Sequence, residues 1–217
     1  MSTKILCDFD GTITTFDTNT VLFDTFGDKN YINKLRRQYY SGQIDLKTLA
    51  IHEFNHLKIT EETYLNYIKN DVVLQRGFKT FYENLKKANI PIAVVSGGFI
   101  NGIEAFFNEN GIEGIPIYAN RLIFNGDEIK VKFYEEENIK ENTDSKVQLY
   151  RKFKKEYDKV IFIGDGHTDV HVAKEADCLF AKDYLEEYCI ENDIEYLKWE
   201  DFYDINDYLF PKEDKYI

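Results

Sequence analysis

Cysteine and proline are scarce in this chain, three of each in 217 residues. Cys7, Cys178 and Cys189 form no C-x-x-C pair and are odd in number. Cys7 and Cys178 stand in short apolar runs and read as small buried hydrophobes, which suits a reducing cytosol. The cysteines do not recur at the spacing of a zinc site. No apolar run approaches the roughly 18 residues of a membrane span, and no basic-then-apolar leader precedes Lys4. The expectation is a soluble, cytoplasmic protein. Internal repeats, low-complexity tracts and long linkers are also missing. Positive charge is short, with 27 Lys and Arg against 39 Asp and Glu, a formal net charge of -12. That balance argues against nucleic acid or an anionic membrane as partner. A small anionic substrate stays open, because a metal and one or two basic residues reverse the field locally. The low proline count, beside abundant Lys, Asn, Ile, Tyr and Phe, reflects genome bias more than mechanism.

What is present alternates. Short β-rich runs at 4–8, 91–96, 159–165 and 177–181 are bounded by polar residues or glycine, the form of buried parallel strands. Amphipathic helical stretches lie near 76–89, 99–110, 145–157 and 168–175. This alternation predicts an α/β doubly wound parallel sheet. Residues 121–133, with Asn125-Gly126 as turn, predict a small β-hairpin. Residues 17–71 break the pattern, with apolar positions such as Leu46, Leu49, Phe54, Leu65 and Ile68 at helical spacing. They read as an α-helical cap inserted after the first strand, leaving 1–16 and 72–217 as the core. Segments 12–16 and 71–77 are the candidate linkers. Tyr31, Tyr39, Tyr40, Phe54 and His56 read chiefly as packing within the cap, and Glu135-Glu136-Glu137 as a solvated loop or edge.

Four stations carry chemistry, each at a predicted strand end or helix start. Asp8-Phe9-Asp10-Gly11-Thr12 closes the first strand with two carboxylates on one face, since side chains alternate across a strand. Such a pair suits a divalent cation and a nucleophile better than a core. Val94-Val95-Ser96-Gly97-Gly98 ends a strand in a hydroxyl and two glycines, which let backbone N–H groups approach a phosphate. Lys146 stands just inside a helix start and by itself reads as a surface lysine. Gly164-Asp165-Gly166-His167-Thr168-Asp169 brings two acids, open to a capping or a metal role, with His167 as a rim position.

In this order the four stations resemble the haloacid dehalogenase superfamily across essentially the whole chain. The resemblance implies a Rossmann-like core with all four stations converging at the strands' carboxyl ends. It implies Asp8 as the nucleophile that forms an aspartyl-phosphate, and Asp10 as general acid, then base. Ser96 and the Gly97 backbone would bind phosphate oxygens, with Lys146 neutralising charge. Asp8, Asp10 through its backbone carbonyl, Asp165 and Asp169 would hold the metal. An all-oxygen site beside phosphate points to Mg2+.

The helical insert, Ala93-Val-Val-Ser-Gly-Gly-Phe99 and Ala119-Asn-Arg-Leu-Ile123 look like the phosphoserine phosphatases. That subfamily selects serine with an acid after Asp-x-Asp and a cap arginine. This chain has Asp17 for the first and Ile51 for the second. Asp10-Gly-Thr-Ile-Thr14, Gly164–Asp169, Leu179-Phe-Ala-Lys-Asp-Tyr-Leu185 and Asp201-Phe-Tyr-Asp-Ile205 look more like the methionine-salvage branch. That branch acts on 2-hydroxy-3-keto-5-methylthiopentenyl-1-phosphate. The expected partner is therefore a small phosphorylated metabolite. Phosphoserine hydrolysis, and transfer of the phosphoryl group to another acceptor, remain the alternatives.

Overall fold

The computed structural model describes residues 2–134 and 145–211. The acidic run at Glu135 and the lead-in to Lys146 lie outside the described residues. The chain runs β1 (Thr3–Cys7), α1 (Thr18–Phe26), α2 (Lys29–Tyr40), α3 (Leu46–His56), α4 (Glu61–Asp71), α5 (Phe78–Lys87) and β2 (Ile92–Phe99). It continues through α6 (Ile100–Glu109), β3 (Ile117–Asn125), β4 (Glu128–Lys132), α7 (Ser145–Lys154) and β5 (Lys159–Gly164). A 3-10 turn (His167–Asp169) leads to α8 (Val170–Ala173), β6 (Cys178–Ala181), α9 (Asp183–Glu191), β7 (Leu197–Lys198) and α10 (Phe202–Leu209).

The strands form one sheet in the order β4-β3-β2-β1-β5-β6-β7, parallel except for the β3–β4 hairpin. β1 is therefore internal, flanked by β2 and β5. Its alternating side chains face opposite ways, as a pleated strand requires. Ile5 and Cys7 join Phe78 and Phe81 of α5, Phe106 of α6 and Phe202 of α10 on one face. Leu6 joins Tyr150 of α7, Val172 of α8 and Leu185 of α9 on the other. Helices on both faces make this the doubly wound sheet that the alternation predicts. Each fully buried Phe or Leu contributes about 1.5–3 kcal/mol.

The four helices between residues 18 and 71 begin where the sequence offers a capping side chain. Asp17, Asp28, Asp45 and Thr60 each accept a backbone N–H from the first turn of their helix. Such a cap contributes about 1 kcal/mol, and it fixes where each helix starts. These helices belong to the same apolar cluster as one face of the sheet, through Phe23, Phe54, Tyr64 and Ile68. Phe54 packs edge-on against Phe23 and against Phe99 at the end of β2, with centroids 4.9 and 4.6 Å apart. The two connections between insert and sheet meet in one antiparallel bridge, Thr14 to Leu74.

Three local expectations change. β2 does not stop at Ser96 but continues to Phe99 through an irregularity described below. The amphipathic stretch 168–175 splits into the 3-10 turn and the four-residue α8, because the Asp169 side chain caps the turn from within. Tyr40 is 71% exposed, so it is not packed inside the insert.

Candidate active site

The strand ends set the geometry. Asp8 N–H donates to the Ile163 carbonyl at 2.9 Å, extending the β1–β5 pairing by one residue. Phe9 then points away into the core, against Phe106 and Phe107. Thr12, Ile13 and Thr14 all donate backbone N–H to the Phe9 carbonyl, curling the chain back under the two acids. Gly11 makes that curl at φ +78°, where a side chain would also run into the Asp165 carboxylate.

Around Asp8 the structure gathers residues distant in sequence. Lys146 Nζ lies 2.9 Å from Asp8 Oδ1 and 2.7 Å from Asp169 Oδ1, and donates to Thr168 Oγ1 at 2.8 Å. Far from being a surface lysine, it is 2% exposed. Asp169 Oδ2 accepts the N–H groups of Asp165 and Gly166, both at 3.1 Å. Thr12 Oγ1 donates to Asp165 Oδ1 at 2.5 Å. Asp8, Asp165 and Asp169 each offer a carboxylate oxygen within 4.8 Å of the others.

Asp10 sits at the edge of this group. The Thr18 hydroxyl and backbone N–H donate to its Oδ1, and Ser96 Oγ approaches its Oδ2 at 3.4 Å. Gly98 backs onto the same carboxylate, and any Cβ there would collide with it. Gly97 is exposed on the open side. Asp17 is also exposed and caps α1 through Thr20 N–H at 2.7 Å, close enough to Asp10 for its charge to be felt. His167 stacks on Tyr184 at the rim, with Tyr40 of the insert 6.3 Å away. Ile51 is 38% exposed on α3.

The electrostatics is that of a crowded acid cluster. Burial, then the charge of Asp169, pushes the Asp8 carboxyl well above its usual range against the pull of Lys146. Burial, then Asp169, raises Asp165 to about 7, opposed by Thr12 and the lysines Lys182 and Lys146. Burial, then Asp17, raises Asp10 to about 6 against the Thr18 hydrogen bonds. For Lys146, burial lowers the ammonium, but Asp169 and Asp8 outweigh it and hold the group above the usual lysine range. Carboxylate oxygens within 4.8 Å of one another repel by at least roughly 3.5 kcal/mol per ionised pair at an effective dielectric near 20. One lysine does not neutralise three. A divalent cation would, and a donor set of carboxylate oxygens alone is that of a hard cation.

Asp8, Asp10, Asp17, Ser96, Gly97, Lys146, Asp165, His167 and Asp169, singled out from the sequence, lie at or beside this end of the sheet. Three neighbours were not singled out. Thr12 carried no role of its own within its motif, and its hydroxyl holds Asp165. Thr18 follows the Asp17 cap, a helix-start signal that says nothing of its bond to Asp10. Lys182, just after β6, has its ammonium 4.5 Å above the Trp199 ring and pulls on Asp165 through its charge.

Comparisons with known proteins bear on the family and the fold. A model of the haloacid dehalogenase-like hydrolases matches residues 5–174. The 2-hydroxy-3-keto-5-methylthiopentenyl-1-phosphate phosphatase of Exiguobacterium sibiricum is 30% identical, over 98% of this chain and 99% of that protein. The protein of the same name from Bacillus pumilus is 32% identical, over 93% and 88%. Among solved structures, a phospho-aspartyl intermediate analogue of phosphoserine phosphatase aligns with a TM-score of 0.72 at 22% identity, covering 96% of this chain and 99% of that one. A family hydrolase of Salmonella enterica serovar Typhi aligns with a TM-score of 0.76 at 18% identity, over 97% and 72%. At those identities the structural matches speak for the fold.

Proposed function

Because this chain belongs to the haloacid dehalogenase-like hydrolases, we propose that it is a Mg2+-dependent cytoplasmic phosphatase working through an aspartyl-phosphate on Asp8. Its substrate is a small phosphomonoester of the 2-hydroxy-3-keto-5-methylthiopentenyl-1-phosphate type, the compound named for the relatives above. The observation that carries the mechanism is the Lys146 ammonium, buried between Asp8 and Asp169. A lysine so placed has no packing purpose, and it balances charge where a phosphoryl group would add more.

The carboxylates of Asp8, Asp165 and Asp169, with the Asp10 backbone carbonyl, would hold the metal. When bound, Mg2+ would relieve their mutual repulsion and draw charge from the phosphoryl oxygens. Asp8 attacks phosphorus in line, forming the acyl-phosphate bond as the bond to the leaving oxygen breaks. Asp10, protonated, gives its proton to that oxygen, which as an alkoxide would be too basic to leave quickly. Asp10 then takes a proton from water as that water attacks phosphorus, and Asp8 departs as a carboxylate. The Ser96 hydroxyl and the Gly97 backbone hold the non-bridging oxygens, and Lys146 aims the Asp8 carboxylate and pulls it toward its ionised form.

Residues 17–71 serve as the cap that closes over this chemistry and admits the leaving group, turning about segments 12–16 and 71–77. Asp17, whose charge reaches Asp10, would help select the leaving group. The phosphoserine alternative would use Asp17 for the substrate ammonium. It lacks a partner for the substrate carboxylate at Ile51. The test is phosphate release from phosphoserine, phosphocholine, pyridoxal phosphate and the salvage enol-phosphate, with Mg2+ or EDTA, for wild type and Asp8→Asn. Turnover that needs Mg2+, vanishes in Asp8→Asn and is fastest on the enol-phosphate is expected. Phosphoserine preferred by orders of magnitude would overturn the substrate, and turnover surviving Asp8→Asn would overturn the mechanism.

A further inference from the structure

β2 and β3 lose register at the phosphate-binding turn. Val95 pairs with Tyr118, and the next pair is Phe99 with Asn120. β2 thus spends more residues than its partner over the same span, and Ser96, Gly97 and Gly98 bulge out of the ladder. Bulges re-aim side chains and leave backbone groups to be satisfied otherwise. Here the satisfying group is a side chain. Asn120 Nδ2 donates to the Gly97 carbonyl at 2.7 Å, and Asn120 Oδ1 accepts the Tyr134 backbone N–H at 2.8 Å. The second bond fixes the first: a backbone N–H can only donate, so the amide oxygen must face Tyr134 and the NH2 must face Gly97.

The Gly97 carbonyl is therefore drawn toward β3. In a planar trans peptide the following N–H points the opposite way. That N–H belongs to Gly98, and it donates to Ser96 Oγ at 2.8 Å. With that lone pair engaged, the Ser96 hydroxyl hydrogen is left to point outward, toward Asp10 and the proposed phosphoryl position. Two successive glycines impose almost no steric preference on this peptide, so a hydrogen bond has to supply the restraint. We infer that Asn120 is a positioning residue for phosphoryl transfer, the clasp that holds the Ser96–Gly98 bulge in its phosphate-binding conformation. The inference rests on the reading of Ser96 and Gly97 as the phosphate cradle. A merely structural Asn120 would staple β3 to β2 and affect stability alone.

The experiment measures the Mg2+-loaded full chain on two esters of different leaving group, p-nitrophenyl phosphate and an alkyl phosphate, together with inhibition by orthovanadate. Asn120→Ala is expected to lower kcat by about tenfold or more, with the same factor on both esters, since the clasp acts on the phosphoryl group alone. Vanadate inhibition weakens in parallel, while the thermal midpoint moves by less than about 4 °C. Asn120→Asp is expected to lose more, because a carboxylate oxygen would face the Gly97 carbonyl. Wild-type kcat and vanadate inhibition in a folded Asn120→Ala protein would overturn the inference, as would a loss confined to one ester. In the wild type, independent of any variant's folding, vanadate should shift the Asn120 side-chain amide resonances, and unmoved resonances at saturation would overturn it. A wild type that releases phosphate from neither ester would instead overturn the phosphatase reading, and this inference with it.

Discussion

The carboxyl end of the sheet and the helical insert are built on opposite terms. At the sheet end, buried charges hold one another: Asp8, Lys146 and Asp169 are each under 5% exposed and joined within 3 Å. The arrangement tolerates few alternatives, since leaving any one charge unpaired costs about 3–5 kcal/mol. The insert is held by helix caps and aromatic contacts, and its main buried charge pair, Arg36 to Glu53 at 3.2 Å, touches neither Asp8 nor Lys146. On the proposed mechanism, one region carries the reaction and the other the shape around it. Substitutions in the first, Asp10 apart, should hit every ester alike, and those in the second should alter stability or choice of ester.

The largest effect expected beyond Asp8 itself is at Asp10. Asp10→Asn keeps the shape and removes the proton, so an alkyl ester should lose about 10³-fold in kcat. p-Nitrophenolate leaves without help, so its first step should be nearly spared. Equal losses on both esters in the burst rate, which reports the first step alone, would break the assignment of Asp10 as the acid.

A smaller effect, on stability, is expected in the insert. Burial raises the Glu53 carboxyl from 4.5 to about 7, against the opposing pull of Arg36. A raised folded-state pKa makes the folded protein bind the proton more readily than the unfolded chain. The contribution of Glu53 is then greatest below pH 4.5 and is lost as the pH rises through 7. Urea titrations of wild type and Glu53→Gln from pH 5 to 8 should diverge on this account, with the wild type declining more steeply. Parallel curves would show that Glu53 is not perturbed as described. The smallest effect belongs to Ile51. It is exposed on α3, so Ile51→Arg should change phosphate release from phosphoserine by less than about twofold. A large gain would move Ile51 into the substrate space.

The same division explains what the sequence disclosed. β1, β5 and the Asn125-Gly126 hairpin were legible because short apolar runs and turn dipeptides are local signals. Asp8, Asp10, Asp165 and Asp169 were legible because motif spacing and strand ends place them together. Lys146 needed the other three stations beside it, since alone it looks like any surface lysine. What stayed hidden depends on contacts between distant segments. The hydrogen bond from Thr18 to Asp10 crosses from the insert to the sheet. The bulge in β2 and its Asn120 clasp exist only when β3 lies alongside. The short α8 follows from Asp169 turning back on Asp165 and Gly166, a choice invisible to helical periodicity.

The proposed mechanism requires a covalent bond between phosphorus and Asp8, and catching that bond tests it without intermediary. Wild type, Asp10→Asn and Asp8→Asn would be mixed with ³²P-labelled p-nitrophenyl phosphate and Mg2+, quenched in acid within milliseconds and digested. Label is expected on the peptide carrying Asp8, released by hydroxylamine as an acyl-phosphate should be, enriched in Asp10→Asn and absent from Asp8→Asn. Steady phosphate release with no label on protein, or label on a different residue, would contradict it.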